Sequence, residues 1–214
     1  MKTKKYTYES HAIVVSWDKE RCTHVAECVR GLPAVFQRDR RPWIDPSLGT
    51  ADDIAEVIHR CPTGALSYTR LDGGEAEVQT RNEVRVLANG PVVARGDIIV
   101  IDEDGEVLVE DTRVALCRCG GSSNKPFCDG THRVKKFDEP AVLGQGGMKE
   151  ASEKLDGRLW IYLRPNGAIR FVGPLSIQGA DPDDVREGTR VSVCRCGRSG
   201  NAPFCDGAHK LRDA

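Results

Sequence analysis

Two long stretches alternate apolar and polar positions with a period of two, "EVRVLANGPVVARGDIIVIDEDGEVLVED" from residue 83 and "RLWIYLRPNGAIRFVGPLSI" from residue 158. Such alternation predicts half-buried β-strands, and Asn89-Gly90 and Asn166-Gly167 predict tight turns within them. The first 70 residues follow another pattern. "AIVVSW" predicts a strand, a short helix falls near 25–31, and "RRPWID" predicts an extended piece. A second helix follows. Its face carries Ile54, Val57, Ile58 and Cys61, with Thr50 as cap and Asp52 and Asp53 in its first turn. "LDGGEAE" and "GGMKEASEKLDG" lack apolar periodicity and predict linkers.

The two alternating stretches are copies. Cys194, Cys196, Cys205 and His209 each lie 77 residues after Cys117, Cys119, Cys128 and His132. Thr112-Arg113-Val114 recurs at the same offset as Thr189-Arg190-Val191, so a whole structural unit was duplicated. These matches place repeats at 85–140 and 158–214 behind an N-terminal domain at 1–72.

The nine cysteines form three trios: Cys22, Cys28, Cys61; Cys117, Cys119, Cys128; and Cys194, Cys196, Cys205. An odd number at C-x-C spacing reads as metal or cluster ligation rather than disulfide pairing, which implies a reducing, cytoplasmic setting. The basic N-terminus lacks the apolar core of a signal peptide, and no run reaches the ~18 apolar residues of a membrane span. Lys and Arg total 31 against 32 Asp and Glu, so no basic excess marks a nucleic-acid or anionic-membrane surface. Modules this small have thin cores, and bound inorganic centres are expected to staple them.

Within each repeat the ligand candidates run Cys-x-Cys-x8-Cys-x3-His: Cys117, Cys119, Cys128 and His132, then Cys194, Cys196, Cys205 and His209. Gly/Ser/Asn-rich loops let several donors aim at one centre. Asp129 and Asp206 suit the start of a helical turn, and Gly130 and Gly207 permit the bend that returns each histidine. By donor type alone, three thiolates and an imidazole also make a tetrahedral zinc set. Arg118, Lys125, Arg195 and Arg198 read as solvated charge.

The pattern C-x-C-x2-S-x3-P-x-C-D-G-[TA]-H resembles the signature of the CDGSH iron-sulfur family, of which mitoNEET is a member. The resemblance implies one 2Fe-2S cluster per motif. Cys117 and Cys119 would hold one iron and Cys128 and His132 the other; Cys194, Cys196, Cys205 and His209 would do the same. Single-motif members resemble intertwined homodimers, so the tandem copy implies a pseudo-dimer within one chain, and hence a monomer. The usual serine of the motif is Thr131 in the first copy and Ala208 in the second, which implies different potentials.

Cys22-x5-Cys28, completed by Cys61-Pro62, resembles half of a bacterial ferredoxin. Val25 stands where the middle cysteine belongs, so the resemblance is to divergent single-cluster ferredoxins carrying 3Fe-4S, or 4Fe-4S with an external fourth ligand. His24 lies one position off register and reads as a solvated or capping residue. Three buried structural cysteines are the alternative.

The expected fold class is α+β: a small ferredoxin-like module followed by two β-rich CDGSH modules. "GQGGMK" fails the dinucleotide-binding pattern because Lys149 replaces its last glycine, and no Ser-His-Asp set or phosphate loop appears. The expectation is an electron-transfer protein, not an enzyme, working with an unidentified redox partner. A redox or iron sensor, a donor of clusters to an apo-protein, and a zinc-stabilised interaction module are the alternatives.

Overall fold

The structure, a computed structural model, describes residues 4–78, 81–152, 154–164 and 167–212. Asn166 of the second predicted turn and Glu153 of the second predicted linker lie outside them. The chain divides into two compact units, Met1–Val78 and Gln79–Ala214. The described residues are mostly β, with few and short helices.

In the first unit, β1 (Lys5–Glu9), β2 (Ile13–Asp18) and β3 (Leu66–Arg70) form an antiparallel sheet in that order. Ile13 and Val15 of β2 are buried with Val35, Phe36, Ile44 and the inner face of α2 (Ala51–His59). Each such side chain, fully buried, contributes about 1.5–3 kcal/mol. Thr50 caps α2 as its sequence predicts, its Oγ1 accepting from the Asp53 N–H at 3.1 Å. The helix stops before Cys61, however, which lies in the turn beyond it. Pro62 is the reason, since proline disfavours helical backbone in the residue before it. The other helix, α1, covers Glu27–Gly31. It is entered through His24 and Ala26 in left-handed backbone (φ 55° and 68°), which bends the segment between Cys22 and Cys28 tightly.

The second unit holds both repeats. The first supplies β4 (Glu83–Val86), β5 (Val92–Ile101), β6 (Val107–Leu116) and α3 (Thr131–Val134). The second supplies β8 (Leu159–Leu163), β9 (Ile169–Gln178) and β10 (Val185–Val193). Between them, Met148–Lys149 forms β7 on the edge of β10, so part of the expected linker is sheet.

All seven strands join one sheet, and the pairing crosses between repeats. β4 is antiparallel to its own β5 but parallel to β9, so Val84 faces Ala94 and Ile177. β8 is antiparallel to its own β9 but parallel to β5, so Ile161 faces Phe171 and Val100. Each of these positions maps onto its counterpart at the 77-residue offset. Buried side chains of both repeats, among them Val84, Val100, Leu116, Ile161, Phe171 and Val193, form a single core. Both long strands adopt left-handed glycine backbone at matching points, Gly96 (φ 150°) and Gly173 (φ 137°).

Candidate metal centres

The ligand loops grow directly out of the sheet. At the end of β6 the Cys117 N–H donates to the Pro126 carbonyl at 2.9 Å and the Cys128 N–H to the Ala115 carbonyl at 2.8 Å, so two distant cysteines become neighbours. In the second repeat Cys194 donates to Pro203 at 2.8 Å and Cys205 to Ser192 at 2.9 Å. Phe127 and Phe204 anchor the two loops in the common core.

Side chains fix the rest of each loop. Ser122 Oγ donates to the Phe127 carbonyl at 2.7 Å, and Ser199 Oγ to that of Phe204 at 2.6 Å. Asp129 accepts from the Ser123 N–H at 2.8 Å and the Thr131 N–H at 2.9 Å. Asp206 accepts from Gly200 at 2.7 Å and Ala208 at 2.9 Å. Burial alone would raise the Asp129 pKa, but the hydrogen bonds from Thr131 and Ser123 hold it well below the usual carboxylate range. Gly130 and Gly207, at φ 88° and 89°, make the bends that return the histidines.

The four predicted ligands of each loop come together as two pairs. Cys117 Sγ and Cys119 Sγ are 3.8 Å apart, and Cys128 Sγ and His132 Nδ1 are 3.4 Å apart. The second loop has Cys194 and Cys196 at 3.6 Å, and Cys205 and His209 Nδ1 at 3.5 Å. Two sulfurs bound about 2.3 Å from one tetrahedral ion lie roughly 3.8 Å apart, so each pair has the spacing of donors sharing an ion. Among the described residues no three His, Cys, Asp or Glu side chains gather in one group able to hold a single ion. Backbone N–H groups of Gly121 and Gly130 point at Cys119 and Cys128 sulfurs, both at 3.4 Å.

Burial pushes the Cys128 thiol up to about 11, and raises Cys117, Cys196 and Cys205 as well. Left alone these thiols hold their protons; a bound metal ion would displace them. His132 is shifted down, first by burial and then by the charges of Arg133 and Arg118, which favours the neutral ring that can ligate.

Arg118 is not the solvated charge its sequence context predicts. It is 3% exposed, ion-paired with Glu139, and donates to the carbonyls of Gly90 at 2.9 Å and Leu87 at 2.6 Å. Arg195 makes the matching bond to the Arg164 carbonyl at 3.0 Å and pairs with Glu103 of the other repeat at 2.8 Å. The arginine between the first two cysteines therefore ties each ligand loop to the sheet's hairpins. Its position inside C-R-C was the only sequence signal. Lys125 and Arg198 are exposed, as their context predicts.

In the first unit, Cys22, Cys28 and Cys61 line one small cavity together with Val25, Trp17 and Trp43. Cys28 is raised to about 11 by burial and then by the nearby Cys61 and Cys22 sulfurs, so the structure brings the trio together. His24 is exposed, as its sequence context predicts, with its Nδ1 3.7 Å from Cys22 Sγ. Cys61 Sγ is 3.6 Å from Thr63 Oγ1.

Two sheet-borne loops of three cysteines and a histidine in one unit, and a three-cysteine cavity in the other, are the donor sets of an iron-sulfur-binding protein. Residues 8–71 match the family model described as a divergent 4Fe-4S mono-cluster, and residues 89–133 and 166–210 each match the iron-binding zinc finger of CDGSH type. The chain thus belongs to the tandem CDGSH-type iron-binding proteins with an N-terminal divergent 4Fe-4S mono-cluster domain. It is similar to the Uncharacterized protein YjdI of Escherichia coli (strain K12), with 38% identity over 61 residues, 28% of this chain and 80% of that relative. YjdI of Escherichia coli O157:H7 matches to the same extent. No solved structure matches. Among the described residues no helix is long and apolar enough to cross a membrane.

Proposed function

We propose that this protein is a cytoplasmic single-electron carrier, without a catalytic site of its own, that serves a redox partner protein. Cys117, Cys119, Cys128 and His132 would hold one 2Fe-2S cluster, and Cys194, Cys196, Cys205 and His209 a second. Cys22, Cys28 and Cys61 would hold a 3Fe-4S cluster in a ferredoxin-like module. When bound, such clusters accept and release single electrons. The observation that carries this reading is the pairing of donors in each loop: two pairs, each at single-ion spacing, suit two irons better than one tetrahedral zinc. The crossed strands support an intramolecular pseudo-dimer, in which each repeat serves as the other's partner subunit. The second reading for the N-terminal centre is a 4Fe-4S form, supported by the matching family's description and by His24, whose Nδ1 lies 3.7 Å from Cys22 Sγ and would be the fourth donor.

Iron and acid-labile sulfide counts with EPR on anaerobically purified protein test the reading. Two 2Fe-2S clusters and an oxidised 3Fe signal are expected, with Val25→Cys converting the last towards 4Fe-4S. Stoichiometric zinc without sulfide would overturn it.

His132 sets the response of the first-repeat centre to acid. A ring pKa depressed in the folded protein means that the native state binds fewer protons, so stability is present above the free value of about 6.5 and is lost as pH falls through the depressed one. Visible absorbance at mildly acid pH is expected to decay in the wild type, and His132→Cys to slow the decay of the first-repeat centre. Equal decay rates in both proteins would remove His132 from the coordination shell.

A further inference from the structure

Beside the second ligand loop lies a cleft of about 820 Å³ whose lining carries five cationic side chains, Lys149, Arg164, Arg170, Arg190 and Lys210, against one carboxylate, Asp206. Sheet register produces this convergence. Arg190 faces Lys149 across β10 and β7, Ser192 faces Arg170 across β10 and β9, and alternation puts Arg190 and Ser192 on one face. Three cations thus occupy adjacent lanes of one sheet face, and Arg164 and Lys210 line the same cleft. Asp206 offsets one of these charges, and its oxygens accept from the Gly200 and Ala208 N–H groups. Among the described residues no carboxylate pairs with Lys149, Arg190 or Lys210.

The first repeat shares only part of this charge: Arg113 and Arg133 stand at the positions of Arg190 and Lys210. At the 77-residue offset Arg164, Arg170 and Ser192 correspond to Leu87, Val93 and Ala115. Val93 is 7% exposed and Ala115 3%, and both pack with Cys128. Arg113, the counterpart of Arg190, is fully buried. One repeat keeps a closed face holding one buried arginine where the other keeps an open cationic one, in a chain whose overall formal charge is only -1.

We propose that this cleft binds a small molecule bearing two or more phosphate groups. Its volume falls within the range of small-ligand pockets, roughly 300–1,000 Å³. Arginine forks match phosphate oxygens bidentately, and several cations converging in a concavity suit a compact polyanion better than the broad face of an acidic protein. The lining also includes the small residues Ala168 and Ser192. Cys205 and His209 form part of the same wall, so the bound anion sits against the second ligand set.

Calorimetric titration of the iron-loaded protein with tripolyphosphate tests the proposal. Saturable one-to-one binding is expected, tighter than for inorganic phosphate and weakening as salt is raised. Arg190→Gln should weaken it roughly tenfold, the loss of one charge-assisted hydrogen bond, and Lys149→Gln should weaken it further, whereas Arg190→Lys keeps most of the affinity. Lys125→Gln, on the other repeat, should leave binding unchanged. No saturable binding, or an equal loss from Lys125→Gln, would overturn the cleft. An Asp/Glu peptide binding as tightly as tripolyphosphate would overturn it in favour of protein docking. Visible spectra recorded in the same titration keep the outcomes apart: absent binding with intact spectra rejects the cleft alone and leaves the electron-carrier reading standing.

Discussion

Serine in place of Cys128 is expected to abolish the first-repeat centre, cutting bound iron by one two-iron cluster and removing about half of the visible absorbance contributed by the two CDGSH loops. Cys128 is 4% exposed and its thiol is raised to about 11 by burial, so it gives up its proton only to a bound metal. A serine hydroxyl is far less acidic and is a poor donor to soft iron. Its partner in the pair, His132, would be left as the only ligand on that iron. The second repeat should keep its centre, because the core beneath both loops is shared and does not depend on Cys128 for its apolar contacts. Iron and sulfide analysis beside the visible spectrum checks this. Unchanged iron content would exclude Cys128 as a ligand, and loss of both centres together would show that the loops do not load independently.

The largest effect on stability is expected at Gly173. At φ 137° it has backbone that side-chain-bearing residues rarely adopt, and a Cβ there would stand 2.1 Å from the Arg158 carbonyl oxygen. That oxygen is main chain at the entrance to β8 and cannot swing aside without moving a strand paired to both β5 and β9. Gly173→Ala combines conformational strain with a backbone collision and is expected to cost about 3–5 kcal/mol. Gly105 is the control: its φ is 94°, but a Cβ there meets nothing within 4 Å, so Gly105→Ala should cost only the strain of about 1 kcal/mol. Chemical denaturation of the iron-loaded proteins compares them. A Gly173→Ala protein as stable as Gly105→Ala would mean that the crossing of β8 between β5 and β9 is looser than the structure shows.

What the sequence determined by itself is whatever depends on short-range chemistry. The ligand loops are local devices: Asp129 accepts from Thr131 two residues on, Ser122 donates to Phe127 five residues on, and a glycine bend brings His132 back to Cys128 four residues earlier. Such contacts are written in spacing, and the 77-residue offset then doubles them without further information. Thr50 as a helix cap was legible for the same reason. The end of α2 before Cys61 was legible only in part, because the apolar period continues to Cys61 while Pro62 stops the helix.

The tertiary structure decided everything that depends on which distant segment arrives. Period-two alternation says that β4 and β8 are strands, but not that each inserts beside the long strand of the other repeat, since alternation is the same for every partner. Charge behaves likewise. Arg118, Arg113 and Arg190 are alike in the sequence, yet Arg118 is buried against Glu139, Arg113 is buried in the first repeat, and Arg190 opens into a cleft. Whether a cation is satisfied or available is a property of the surface that packs over it, and that surface comes from residues far away in the chain.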